Sequence, residues 1–302
     1  MSKAPVLLII FNRPDTTARV LEQIAQYQPE RLYIAADGPR PTRAGEAEVC
    51  RRAREATLEH ITWPCETRTL FREDNLGCKR AVSGAITWFF EQEPAGIILE
   101  DDCLPEPSFF PFCAELLERW RDDERVALIG GCNLADSSSL ETDYGFTRYP
   151  HVWGWASWRR VWNDYDVELK SLARVLDESG TAPFAEPTNA AKDEAEFWRD
   201  RFVAVRDLQI DTWDYQLVFQ CFVRRQVGVF PKHNLIKNIG FDSRATHTRS
   251  DSPMGRLETR AAHFPLGHPE AIATNPERDA YVFNTFMKPR GRIARAWRRI
   301  FG

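Results

Sequence analysis

The chain has 302 residues, enough for one large α/β domain or two small ones. It is 43% hydrophobic and 28% charged, as ordinary globular proteins are, and its formal net charge of −4 excludes a general nucleic-acid binder. Seven Cys, an odd number with no CxxC pair, fit a reducing compartment better than a disulfide scaffold, and no apolar stretch approaches the length of a membrane span.

The first half alternates strand and helix. An apolar run over 6–11 reads as a strand. It passes straight into Asn12-Arg13-Pro14-Asp15, a loop rather than the end of a signal peptide, so a cytoplasmic chain is expected. A helix follows over 15–27, with Asp15 as its cap and Val20, Leu21 and Ile24 on one face. A strand over 32–36 ends in the turn signal Asp37-Gly38-Pro39. Then come a polar helix over 43–59, a strand over 68–71, a helix over 76–90, a strand over 97–99, a helix over 109–120 and a strand over 126–130. This pattern predicts a Rossmann-like, mostly parallel α/β sheet with helices on both faces. Right-handed crossovers bring the strand ends at Arg13, Asp37 and Asp102 to one edge.

The second half reads as less regular. Residues 149–158 are aromatic and contain glycine, and 163–190 read as loop. Helices are expected over 192–207 and 211–225, a strand over 227–230, and a polar loop over 234–247. No internal repeat is present.

Gly96-Ile97-Ile98-Leu99-Glu100-Asp101-Asp102 carries the most information. A short apolar run, the signature of a strand buried on both faces, ends in three carboxylates. Ligands of open α/β sheets bind beyond the carboxyl ends of the strands. Carboxylates there suit a hard divalent cation, Mn²⁺ or Mg²⁺, which in turn holds a diphosphate. A solvated turn is the plain alternative. Trp153, Trp155, Trp158 and Trp162 form a second cluster, suited either to a concave sugar-binding surface or to packing against the sheet.

Taken in order, the strand ending Asn-Arg-Pro, the strand ending Asp-Gly, the helix opening Asn75-Leu76-Gly77-Cys78-Lys79, the Glu-Asp-Asp triplet, Trp153-Gly154-Trp155, Trp213-Asp214 and a late His247 form a pattern. It resembles the nucleotide-sugar glycosyltransferases of the GT-A fold, most of all the N-acetylglucosaminyltransferase I type, whose metal motif is Glu-Asp-Asp. The resemblance spans about residues 5–248 as ordered motifs, with Glu100, Asp101, Asp102, Pro107 and Phe109 matching Glu-Asp-Asp-x-x-x-x-Pro-x-Phe. It implies an inverting, metal-dependent transferase moving a hexosyl or N-acetylhexosaminyl group from a UDP-sugar to a glycan or lipid-linked acceptor. On that resemblance Asp102 ligates the metal, joined by His247, and Glu100 and Asp101 meet the ribose or donor sugar. Arg13 and Lys79 lie by the nucleotide and Asp37 accepts the uracil imide, an Asx-turn being the alternative for Asp37. Trp153, Trp155 and Trp213 line the acceptor side, and Asp214 is the general base, with capping of the helix beginning there by Asp214 or Asp211 as the alternative.

The resemblance divides the chain into a nucleotide-sugar half over 1–135 and an acceptor half over 136–287 of one domain. The family's membrane anchor and stem are not in this sequence, and Tyr215 stands where the family has a second Asp after Trp-Asp. A sugar-1-phosphate nucleotidyltransferase is a second reading, disfavoured because no glycine-rich loop follows the first strand. A non-catalytic nucleotide-sugar or carbohydrate binder is the third. The basic stretch 288–302 has six Lys and Arg and no acid, with Ile293, Trp297, Ile300 and Phe301 on one helical face. Its expected partner is an anionic membrane surface, which would make the protein peripheral on the inner face, with a disordered solubilising tail or a helix docked on the body's own acidic surface as the alternatives.

Overall fold

The computed structural model describes residues 3–135, 137, 140–185, 191–240 and 257–288. His247 and the basic stretch beyond Lys288 lie outside the described residues. The chain in order forms β1 (Val6–Ile10), α1 (Pro14–Tyr27), β2 (Arg31–Ala36), α2 (Glu46–Glu59), β3 (Glu66–Phe71), α3 (Gly77–Gln92), β4 (Ala95–Glu100), β5 (Cys103–Pro105) and α4 (Phe109–Arg119). It continues with β6 (Val126–Gly130), β7 (Tyr144–Thr147), β8 (Trp155–Trp158), α5 (Arg159–Trp162), α6 (Leu172–Ser179), α7 (Ala191–Arg206), α8 (Asp214–Arg224), β9 (Val227–Pro231), β10 (Ile236–Asn238) and α9 (Pro276–Val282).

Eight strands make one sheet in the order β3-β2-β1-β4-β8-β6-β9-β7. The β3-β2-β1-β4 side is parallel throughout, β8 is antiparallel to both its neighbours, β9 is parallel to β6, and β7 is antiparallel to β9. The expected mostly parallel α/β sheet, with helices on both faces, is therefore the layout the chain adopts. β1 (Val-Leu-Leu-Ile-Ile) is buried at every position, as a strand covered on both faces must be. Tyr27 at the end of α1 stacks on Phe110 of α4 at 4.5 Å, and the Trp158 indole donates to Leu117 O of α4. Trp155, of opposite parity in β8, instead meets Trp162 of α5, whose indole donates to Thr87 of α3 at 2.9 Å. So α1 and α4 cover one face, and α3 and α5 the other.

The second half differs from its expectation of few elements. α6 forms within the stretch read as loop, burying Leu172 and Val175 on one face. β10 lies in the expected polar loop and pairs antiparallel with β5, a separate two-stranded ribbon just past the triplet. Helices α6 to α9 enclose a second aromatic core that includes Tyr149, Phe184, Trp198, Phe202, Phe222 and Phe283. Arg13, not Asp15, is the N-cap residue of α1, with Pro14 at the first helical position. All seven Cys are free.

Candidate functional site

The carboxyl ends of β1, β2 and β4, the start of α3, the Trp153 loop and the segment after β10 enclose a cavity of about 400 Å³. Arg13, Asp37, Glu100, Asp101, Asp102 and Trp153 all line it, so residues 140 positions apart in sequence meet at one sheet edge.

The triplet is organised by one cation. Arg13 Nη2 pairs with Asp101 Oδ1, and Arg13 Nη1 donates to Asp102 Oδ2 at 2.9 Å. The other Asp101 oxygen accepts the Phe11 N–H at 3.2 Å, and the Cys103 thiol lies 3.5 Å from Asp102 Oδ1. Asp101 is 2% exposed, whereas the Asp102 side chain keeps 17% of its surface. Burial alone would lower the Arg13 pKa, but attraction to the two aspartates outweighs it and raises the guanidinium further. Glu100 is pushed up to about 8, first by burial and then by the charges of Asp102, Asp101 and Asp214, with Arg13 pulling it back. Gly240 closes over this group: a Cβ there would collide with Asp102 Oδ2 and stand 2.7 Å from Arg13 Nη1, so only glycine permits the approach.

A divalent cation suits the chemistry of this edge, since hard oxygens are present and Glu100, Asp101 and Asp102 face a single paired arginine. The protein supplies few ligands for it. Among the described residues no group of three His, Cys, Asp or Glu could hold a metal. The donor set fits a cation shared with a bound diphosphate, the usual arrangement for Mg²⁺.

Asp37 is 8% exposed and its carboxylate is engaged by α3. Oδ2 accepts Asn75 Nδ2 at 2.9 Å and Gly77 N at 3.2 Å, and Leu76 N reaches both oxygens at 3.0 Å. Burial raises its pKa and these backbone bonds oppose the rise. Asp37 thus serves the helix and still presents a surface to the cavity. Asp211 also lines the cavity and accepts the N–H groups of Cys78 and Lys79. Neither Asp211 nor Asp214 caps α8, whose N-cap residue is Trp213 with no side-chain cap. Asp214 opens α8 and takes the Thr212 hydroxyl; it is not on the cavity wall, but its charge is felt at Glu100 and at Cys78.

Besides Asp214, three further expected site residues are off the cavity wall. Lys79 does not line the cavity: its ammonium is buried and paired with Glu168 Oε2 at 3.0 Å. Trp155 and Trp213 are 1% and 3% exposed and stack on each other at 5.7 Å with 22° between planes, so they form packing beneath the site, not an acceptor surface. Trp155→Ala should therefore destabilise the chain by about 3–5 kcal/mol, read by urea denaturation. Unchanged stability with lost activity would return Trp155 to the binding surface.

The sequence reading missed Arg40, Arg72, Asn75, Asn238 and Gly240, all on the cavity wall. Arg40 is held by Glu46 and lies over the Phe11 ring, 5.4 Å from its centroid. Arg72 follows β3, donates to Ala81 O at 3.3 Å, and is lowered by burial while Asp37 raises it. With Arg13 these put three guanidinium groups around the cavity, a lining suited to phosphate.

No protein-family profile matches the chain and no curated protein matches it. Among solved structures it is similar to HddC from Yersinia pseudotuberculosis, with 10% identity and a TM-score of 0.33 over 54% of this chain and 80% of that one. It is also similar to a UDP-glucose pyrophosphorylase complexed with UDP-glucose, with 8% identity and a TM-score of 0.38 over 77% and 90% of the two chains. Mouse xyloside xylosyltransferase 1 is a third, with 10% identity and a TM-score of 0.35 over 73% and 81%.

Proposed function

We propose that the chain is an inverting, metal-dependent glycosyltransferase that moves a sugar from a UDP-sugar to a hydroxyl of a glycan or lipid-linked acceptor. The observation that carries this reading is the Asp102 carboxylate, partly open at the end of β4 and facing a cavity ringed by Arg13, Arg40 and Arg72. That lining suits a diphosphate, and Trp153 on the same wall offers an aromatic face to the acceptor. When bound, Mn²⁺ or Mg²⁺ neutralises charge on the leaving diphosphate. The chain's own residues do the rest. Asp214 takes the proton of the acceptor hydroxyl, and that oxygen attacks the anomeric carbon from the side opposite UDP. The bond from the anomeric carbon to the diphosphate oxygen breaks, and its electrons leave with UDP. One displacement of this kind inverts the anomeric centre.

A panel of nucleotide sugars incubated with Mn²⁺ tests the reading. Release of UDP from at least one donor is the expected result; no release from any donor would make the chain a binding protein. In calorimetry UDP should bind more tightly than GDP or CMP, because Asp37 accepts the uracil imide N–H. Asp37→Asn, which keeps an oxygen for the start of α3, should weaken UDP about tenfold, the worth of one hydrogen bond to a charged group. Equal affinities for the three nucleotides would remove Asp37 from the base site.

A further inference from the structure

The start of α3 is gripped from both halves of the chain. The first four N–H groups of a helix have no partner within it. Here Asp37, at the end of β2, takes those of Leu76 and Gly77. Asp211, from the connection between α7 and α8, takes those of Cys78 at 2.9 Å and Lys79 at 3.0 Å. Two carboxylates at the positive end of the helix suit its dipole. The approach is close enough to demand glycine at position 77, which has φ +76°; a Cβ there would stand 2.8 Å from Asp211 Oδ2.

Asp211 stands three residues before Asp214, and only Thr212 and Trp213 separate them. Trp213 is itself fixed, stacked on Trp155, and its carbonyl accepts the Tyr165 hydroxyl at 2.9 Å. The Thr212 hydroxyl donates to Asp214. The short run 211–214 therefore has its end toward α3 tied down by Asp211 and its end toward α8 tied down by Trp213.

We propose that Asp211 is a positioning residue: its carboxylate, on the cavity wall, pins the connection before α8 to the start of α3 and so fixes Asp214, three residues further on and just off that wall. This rests on the transferase reading for what Asp214 does. The pin itself is a statement about the fold. Each Asp211 oxygen accepts one N–H of the helix start, Oδ2 that of Cys78 and Oδ1 that of Lys79.

Cys78 reports on the pin without any activity. Its N–H is one of the two that Asp211 holds, and the residue is partly exposed and lines the cavity. Alkylation of Cys78 by iodoacetamide in the folded full chain, read from the mass of its peptide, should be about tenfold faster in Asp211→Ala than in the unmodified chain, through local opening. Asp211→Asn keeps one acceptor oxygen and should accelerate it less. Both variants lose the negative charge beside the thiol, so the gap between them isolates the hydrogen bonds. Cys65, at the edge of β3, serves as the unaffected control. Equal labelling of Cys78 in the unmodified chain and Asp211→Ala overturns the pin.

The second readout is turnover of a UDP-sugar. The pin predicts that Asp211→Ala lowers kcat about tenfold, leaves KM for the donor within twofold, and keeps the shape of the pH profile, with Asp211→Asn recovering part of the rate. If Asn is as damaging as Ala and the pH profile loses a limb, Asp211 is the base and the proposal is wrong. Absence of turnover in the unmodified chain sinks the transferase reading, and the Cys78 labelling still decides the pin.

Discussion

Asp102→Asn should lower donor turnover by about 10²–10³-fold, the size of effect seen when one preorganised charge-stabilising group is removed from an active site. The fold should survive. The amide is isosteric, Asp101 keeps its own pairing with Arg13, and the Asp102 backbone still accepts the Ile239 N–H at 2.8 Å. The loss should be specific because Asp102 keeps open surface toward the cavity, whereas Asp101 is sealed between Arg13 and the Phe11 backbone. The unmodified chain should fall to the same residual rate in excess chelator and recover on addition of Mn²⁺. Full turnover in the variant, or in chelator, would remove the metal from the proposal and leave Asp102 as a partner of Arg13 alone.

Asp214→Asn should lower kcat by about 10²–10⁴-fold, the usual worth of a general base, with UDP affinity nearly unchanged. The separation of the two effects follows from position. Asp214 is off the cavity wall, at the first turn of α8, yet near enough to raise Glu100 and Cys78 electrostatically. A group so placed can meet an acceptor entering beside the donor without touching the nucleotide. Thermal melting supplies the control: the helix does not use Asp214 as its cap, so the melting temperature should move little. Preserved turnover with a lowered melting temperature would assign Asp214 to structure.

The parts of this molecule that were legible in sequence are those whose environment is set locally. β1, β2, β4, β6 and β9 are short apolar runs because both faces are covered, and the residues just past β1, β2 and β4 are polar because the edge is open. Hence Arg13, Asp37 and the triplet could be singled out from position alone. β5, β7 and β10 span only three or four residues, too few for a period to show. Lys79 was misplaced because its partner, Glu168, is 89 residues away and nothing near Lys79 announces it. Trp155 and Trp213 were placed on the acceptor side by the resemblance, because an aromatic cluster has the same sequence whether it stacks on a sugar or on itself. Arg40 and Arg72 escaped notice for the converse reason: arginine is common on surfaces, and only the sheet order β3-β2-β1 brings these two to the same cavity.

β8 has a consequence for any attempt to cut or recombine the chain. Ile97 and Ile98 of β4 pair with Ala156 and Trp155, while Leu128 and Ile129 of β6 pair with Ser157 and Ala156 on the other side of the same strand. The four residues of β8 thus act as a zip fastener between two strands that precede it in sequence and never touch each other. A fragment ending near residue 135 would contain β4 and β6 but neither β8 nor β9, leaving one edge of β4 and both edges of β6 bare and open to pairing with other chains. The first 135 residues are consequently not a transplantable module. Grafting a different second half onto it would require the incoming chain to bring a strand of the same register, with a small residue such as Ala156 between Ile97 of β4 and Ile129 of β6.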